Sequence, residues 1–169
     1  MSAVDHVVYL MDEAFSGEGI RETGESQSFM VNLRSVDASL WHTPPPGGER
    51  TVESLVLHVG GCKVMYDEYA FGPGKLQWDD PRVQPWEVGE APMDKAIDWL
   101  EEAHTALIHH VGGLQDADLL LPRLANWGEQ MQTRWLLSML LQHDTYHAGE
   151  VNHVRSLLAG NDAWRWAQP

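Results

Sequence analysis

Apolar residues recur at helical spacing along almost the whole chain, and no stretch shows the sustained alternation and β-branched enrichment of a strand. That periodicity predicts an all-α domain. The breaks are as informative as the stripes, because glycine and proline gather in them. Val4 to Phe15 puts Val7, Val8, Leu10, Met11 and Phe15 on one broad face, and the glycine-rich stretch Ser16 to Gly24 interrupts it. Glu25 to Val36, with Phe29, Met30 and Leu33 on one side, resumes the helix. His42 to Thr51 holds three prolines and two glycines, so it reads as a turn, with Thr51 as the N-cap of the next helix.

From Thr51 to Phe71 the spacing of Leu55, Val59, Cys62, Tyr66 and Tyr69 predicts a second long helix, ended by Gly72-Pro73-Gly74. Lys75 to Pro92 then forms a long loop carrying Trp78 and Trp86. Loops of that length in compact domains usually serve a function, and these indoles suit either a ligand pocket or a packed lid. Met93 to Val111 makes a third helix, stopped by Gly112-Gly113, and after a linking stretch Thr133 to Ala159 makes the last, closed at Gly160. Four long helical units joined by loops predict an antiparallel bundle, with residues 1–169 as a single domain.

The last helix carries the sharpest chemical signal, His143-Asp-Thr-Tyr-His147 followed by Glu150. At about 100° per residue these three side chains share one face, the face that also holds Leu136, Leu140, Val151 and Val154. Nine histidines in the chain supply roughly half an i, i+4 pair by chance, so the apolar setting rather than the spacing carries the signal. Two imidazoles one turn apart can bind one divalent cation. A third ligand must come from another helix. His58, at the edge of the second helix's stripe, is the best candidate, and Cys62 one turn on is a weaker one that more often serves as a small buried hydrophobe.

Glu101 with His104 and Glu150 with His153 each make Glu-x-x-His, half of a di-iron carboxylate signature. That alternative needs inward carboxylates from other helices. Of the available Glu13, Glu53 and Glu68, the last two fall off the second helix's stripe, so the three-histidine mononuclear site fits better. His104 reads as a core histidine or as a partner to a ligand, and the tryptophans at 41, 99, 127, 135, 164 and 166 as core or interface residues.

Charge narrows the partners. Eleven Lys and Arg against 25 Asp and Glu leave a net charge of −14, which opposes binding to a phosphate backbone and favours the approach of a divalent cation. Nucleic acid is therefore not an expected partner. The single Cys62 closes no intramolecular bridge, and no apolar run approaches the roughly 18 residues of a membrane helix or the core of a signal peptide. The expectation is a cytoplasmic chain that meets a small-molecule substrate and no membrane.

The stretch His143-Asp-Thr-Tyr-His-Ala-Gly-Glu-Val-Asn-His153, the upstream Asn126-Trp-Gly-Glu129 and the Pro-Gly-Gly-x-Arg-Thr-x-x-x-Leu-x-x-His pattern ending at His58 resemble the DinB/YfiT-like superfamily. The resemblance covers essentially the whole chain. It implies an up-down-down-up four-helix bundle, often a homodimer, with a divalent metal held by His58, His143 and His147. Zinc, nickel, manganese or iron would suit imidazole ligation. It further implies a thiol-dependent S-transferase or isomerase using a low-molecular-weight thiol such as mycothiol. Glu150 is then the candidate catalytic residue, as general base or as orienter of a ligand. Metal-dependent hydrolysis is a neighbouring possibility, and a non-enzymatic metal- or ligand-binding stress protein is the alternative of a different class. The glycine-rich break at Ser16 to Gly24 departs from the family pattern and leaves the first helix's length open.

Overall fold

A computed structural model describes residues 1–17 and 28–161. Its long helices are α1 (Ala3–Phe15), α3 (Val52–Phe71), α4 (Met93–Gly112) and α5 (Thr133–Ala159), with a short α2 (Phe29–Leu33) between the first two. Their starts follow local chemistry. Ser2 and Asp5 close a reciprocal capping box on α1, and the Thr51 side chain accepts the Ser54 N–H to start α3. Gly160, at φ +66°, ends α5 in the left-handed conformation that favours glycine.

Contacts between helices fix their directions. Glu53 meets Ala91 just before α4, Gly60 meets Trp99, and Asp67 meets His110, so α3 and α4 run parallel. Arg50 reaches Glu150 and Lys63 reaches Asp144, so α5 runs antiparallel to α3. Phe15 stacks on His104, while Val4 at the other end of α1 binds Asp116 beyond the end of α4, which sets those two helices antiparallel. The result is the up-down-down-up bundle. A parallel neighbour needs a long return, and the segment between α3 and α4 provides it.

That segment is a fixed wall. Glu53, fully buried, accepts the N–H groups of Gly89 and Ala91 at 2.7 and 2.8 Å and lies 3.1 Å from His42 Nδ1. Trp41 donates its indole N–H to Ala91 O, Tyr69 donates to Leu76 O, and Leu76 and Val83 pack on Met65. Gly61 lets it approach, since a Cβ there would sit 3.0 Å from Val83 O, and Gly60 does the same for α4, since a Cβ there would collide with the Trp99 ring.

Three expectations change. Of the piece expected over Glu25 to Val36, residues 25–27 lie outside the described ones, and among the rest the helix covers Phe29–Leu33 and gives way to a 3-10 turn at Ala38–Leu40. The link before α5 contains an antiparallel hairpin, Pro122–Leu124 with Gln130–Gln132. Strands of three residues are too short to show alternation. Trp41 is core, as expected, but Trp127 and Trp135 are largely exposed, and Trp164 and Trp166 lie outside the described residues. Among the described residues no helix is long and apolar enough to cross a membrane.

Candidate metal centre

The antiparallel packing of α3 on α5 brings His58 against His143 and His147. One ligating nitrogen from each lies within 4.8 Å of the others, and the Nε2 atoms of His58 and His143 are 3.3 Å apart. His147 is buried and the other two are half-buried. Burial pushes all three imidazoles toward the neutral form, His143 down to about 3. Their mutual repulsion as cations adds to this for His58 and His143, and for His147 burial outweighs the pull of Glu150. Three rings held toward neutrality therefore bring nitrogens that can ligate close together.

Glu150 completes the arrangement. Its Oε2 lies 2.5 Å from His147 Nδ1, and because a carboxylate only accepts, Nδ1 carries the proton and Nε2 keeps its lone pair. Arg50, just before α3, donates from Nη1 to both oxygens of Glu150 at 3.1 Å. An all-nitrogen, neutral, convergent donor set with one tautomer fixed in this way fits a divalent first-row cation.

The other candidates fall outside the cluster. Cys62 Sγ lies 3.8 Å from a His58 ring nitrogen, but burial pushes its thiol up to about 11 and it stays protonated beside Tyr66. His153 is exposed, and Glu101 pairs with Arg34. His104 is buried against Phe15, with ring centroids 3.8 Å apart. Among the described residues, the three histidines are the only group of His, Cys, Asp and Glu side chains placed to hold one ion, so the di-iron arrangement lacks its ligands. Glu53, off the stripe as expected, is nonetheless buried, because the loop covers that side of α3.

Two partners of the site are not evident from sequence. Arg50 is one. The other is a buried ion pair, Lys63 Nζ to the Asp144 carboxylate at 2.8 and 2.6 Å, one residue from His143. Both members sit at helical spacing within apolar stripes, Lys63 four residues after Val59 and Asp144 four after Leu140, and that was the legible signal.

A cavity of about 180 Å³ reaches the cluster through His58 alone, with His58 and Leu57 on one side and Trp78, Val83 and Trp86 of the α3–α4 segment on the other. Trp86 is braced edge-on by Trp99, whose indole N–H donates to Arg82 O.

An up-down-down-up helical bundle with three histidines converging between its second and last long helices defines a class of scaffold by geometry alone, and comparison with known families gives that class its name. The DinB superfamily matches over residues 25–151, a span that includes all three histidines and Glu150. The chain belongs to the DinB superfamily. No curated protein matches it.

Proposed function

We propose that this protein is a mononuclear metalloenzyme in which His58, His143 and His147 hold a divalent cation, and that it joins a low-molecular-weight thiol to a small electrophile. The observation that carries the reading is the convergence of three imidazoles held toward neutrality, one of which, His58, also lines a small cavity. A divalent cation held there supplies Lewis acidity, which brings a thiol or a water to its nucleophilic form near neutral pH.

The chain's own residues do the rest. Glu150 holds the proton of His147 on Nδ1 and so keeps Nε2 available, while Arg50 holds Glu150 in place. Of the two roles open to Glu150, orienter and general base, the first is favoured because both of its oxygens are already engaged. Trp78 and Trp86 line the cavity on the side facing His58 and Leu57. In the transfer, the thiol sulfur forms a bond to the electrophilic carbon, the leaving group departs with its electron pair, and the thiol proton passes to solvent or to the leaving group.

Elemental analysis of metal-replete protein beside a His147→Ala variant tests the site. One metal per chain, lost on substitution, is the expected result; wild-type protein without bound metal overturns it. Metal-dependent turnover with a panel of thiols and electrophiles then tests the transferase reading, and a loaded but inert protein would favour the binding role.

A further inference from the structure

Most of the site's chemistry is polar, yet the cavity beside it is not. Its lining carries no Lys, Arg, Asp or Glu side chain: the residues already named are joined by Ser54, Gly61, Gln84 and Val88, and His58 is its one titratable member. Without a cation held at His58, a carboxylate, phosphate or ammonium entering it would lose hydration with no counter-ion to replace it. A polar thiol carrier is equally ill matched. At about 180 Å³ the space compares with the apolar cavity of roughly 150 Å³ known to accept benzene in another protein.

The walls are also set in advance. Trp86 is locked by its edge contact with Trp99, and the segment bearing both tryptophans is pinned through Glu53, Tyr69 and Trp41. Gly61 brings Val83 and Trp78 close to α3, so the cavity does not depend on closure of a lid. Indole walls and aliphatic ends favour a flat occupant, and the Gln84 amide and Ser54 hydroxyl offer polar atoms at the rim.

We infer that this cavity is the electrophile's subsite, and that it takes an uncharged, single-ring aromatic or similarly small apolar group carried by the substrate. The inference rests on the metalloenzyme reading for the identity of the reactant, but the cavity's preference for a neutral ring does not.

The test uses benzyl alcohol as an unreactive probe and benzoate as its charged counterpart, with binding read by ligand-observed NMR on the full chain. Benzyl alcohol should bind the metal-loaded protein and the His147→Ala variant alike, and benzoate, whose carboxylate would ligate a bound cation, should fail to bind the metal-free His147→Ala variant. Removing an aromatic wall, in Trp86→Ala or Trp78→Ala, should weaken benzyl alcohol about tenfold, or about 1.4 kcal/mol. Trp78 is 44% exposed, so that variant keeps the test open if Trp86→Ala fails to fold. Equal binding of the two probes to the His147→Ala variant, or unchanged affinity for benzyl alcohol in a folded tryptophan variant, would overturn the subsite. If metal is absent but benzyl alcohol still binds at the tryptophans, the metal reading fails and the subsite stands. With turnover in hand, Trp78→Ala should raise KM for an aromatic electrophile while metal content stays unchanged.

Discussion

Two polar clusters bridge α3 and α5 within a turn or two of each other, and they are built on opposite principles. The Lys63–Asp144 pair is 3% exposed at both side chains, and its charges are matched at 2.6 to 2.8 Å. His58, His143 and His147 are held toward neutrality by burial, and one ring nitrogen of each lies within 4.8 Å of the others. One cluster spends its polarity inside the protein and the other leaves it available. Adjacent residues, His143 and Asp144, belong to different clusters because a helix turns about 100° between them. A closed pair fixes how the two helices meet; an open cluster uses that meeting to present ligands.

The closed cluster should be the more costly of the two to disturb. Asp144→Ala leaves the Lys63 ammonium buried without its partner, and stability in denaturant should fall by about 3–5 kcal/mol. Replacing both members, Lys63→Met with Asp144→Leu, should recover most of that loss, since a well-packed apolar pair avoids the desolvation of two ions. If the double variant is as unstable as the single one, the pair holds more than helix register. Metal content of the double variant then shows whether the histidines still converge on an apolar bridge.

The open cluster should respond in affinity rather than in folding. Glu150→Ala removes the acceptor that holds the proton on His147 Nδ1, and loss of such a partner costs about 10–100-fold in metal affinity. Competition with a chelator measures it, and Glu150→Gln, which keeps an accepting oxygen, should restore part of the affinity. Unchanged affinity in Glu150→Ala would mean that Arg50 and Glu150 serve the surface and not the ligand.

The same contrast explains what the sequence could reveal. Helix limits were legible from caps and periodicity: Thr51, Gly160 and the boundaries of α5 stand where expected. The three histidines were legible because polar rings on an apolar stripe are costly and call for a reason. Glu53 falls off the apolar stripe of α3 as its spacing predicts, but its burial is not legible there, since one helix's stripe says nothing about a loop folding over its other side. The Lys63–Asp144 pair joins residues 81 apart, a separation that no local pattern connects. The hairpin before α5 is too short for periodicity, and the cavity arises only when the α3–α4 segment is laid against Gly61.

A third buried polar residue separates the two principles most finely. His104 is 4% exposed and stacked on Phe15, and neither ring nitrogen has a hydrogen-bond partner among the described residues. Asp12 Oδ1 approaches Nε2 at 3.4 Å without the alignment of a hydrogen bond. His104 thus has the neutrality of the open cluster without convergent ligands, and the burial of the closed pair without a matched charge. Burial, reinforced by the Lys63 charge, pushes its imidazole down to about 2 from 6.5. Below pH 6.5 the unfolded chain takes up a proton at this residue that the native chain refuses, so native stability falls as pH drops. His104→Phe removes that uptake. Between pH 6 and 4 its stability, measured without metal, should fall less steeply than that of the wild type, by about 1 kcal/mol per pH unit. The depressed imidazoles of His58, His143 and His147 act in the same direction in both proteins and cancel in the difference. Matching slopes would mean that native His104 accepts the proton and pairs with Asp12 as a cation. It would then belong with Lys63 and Asp144, as a charge matched inside the fold.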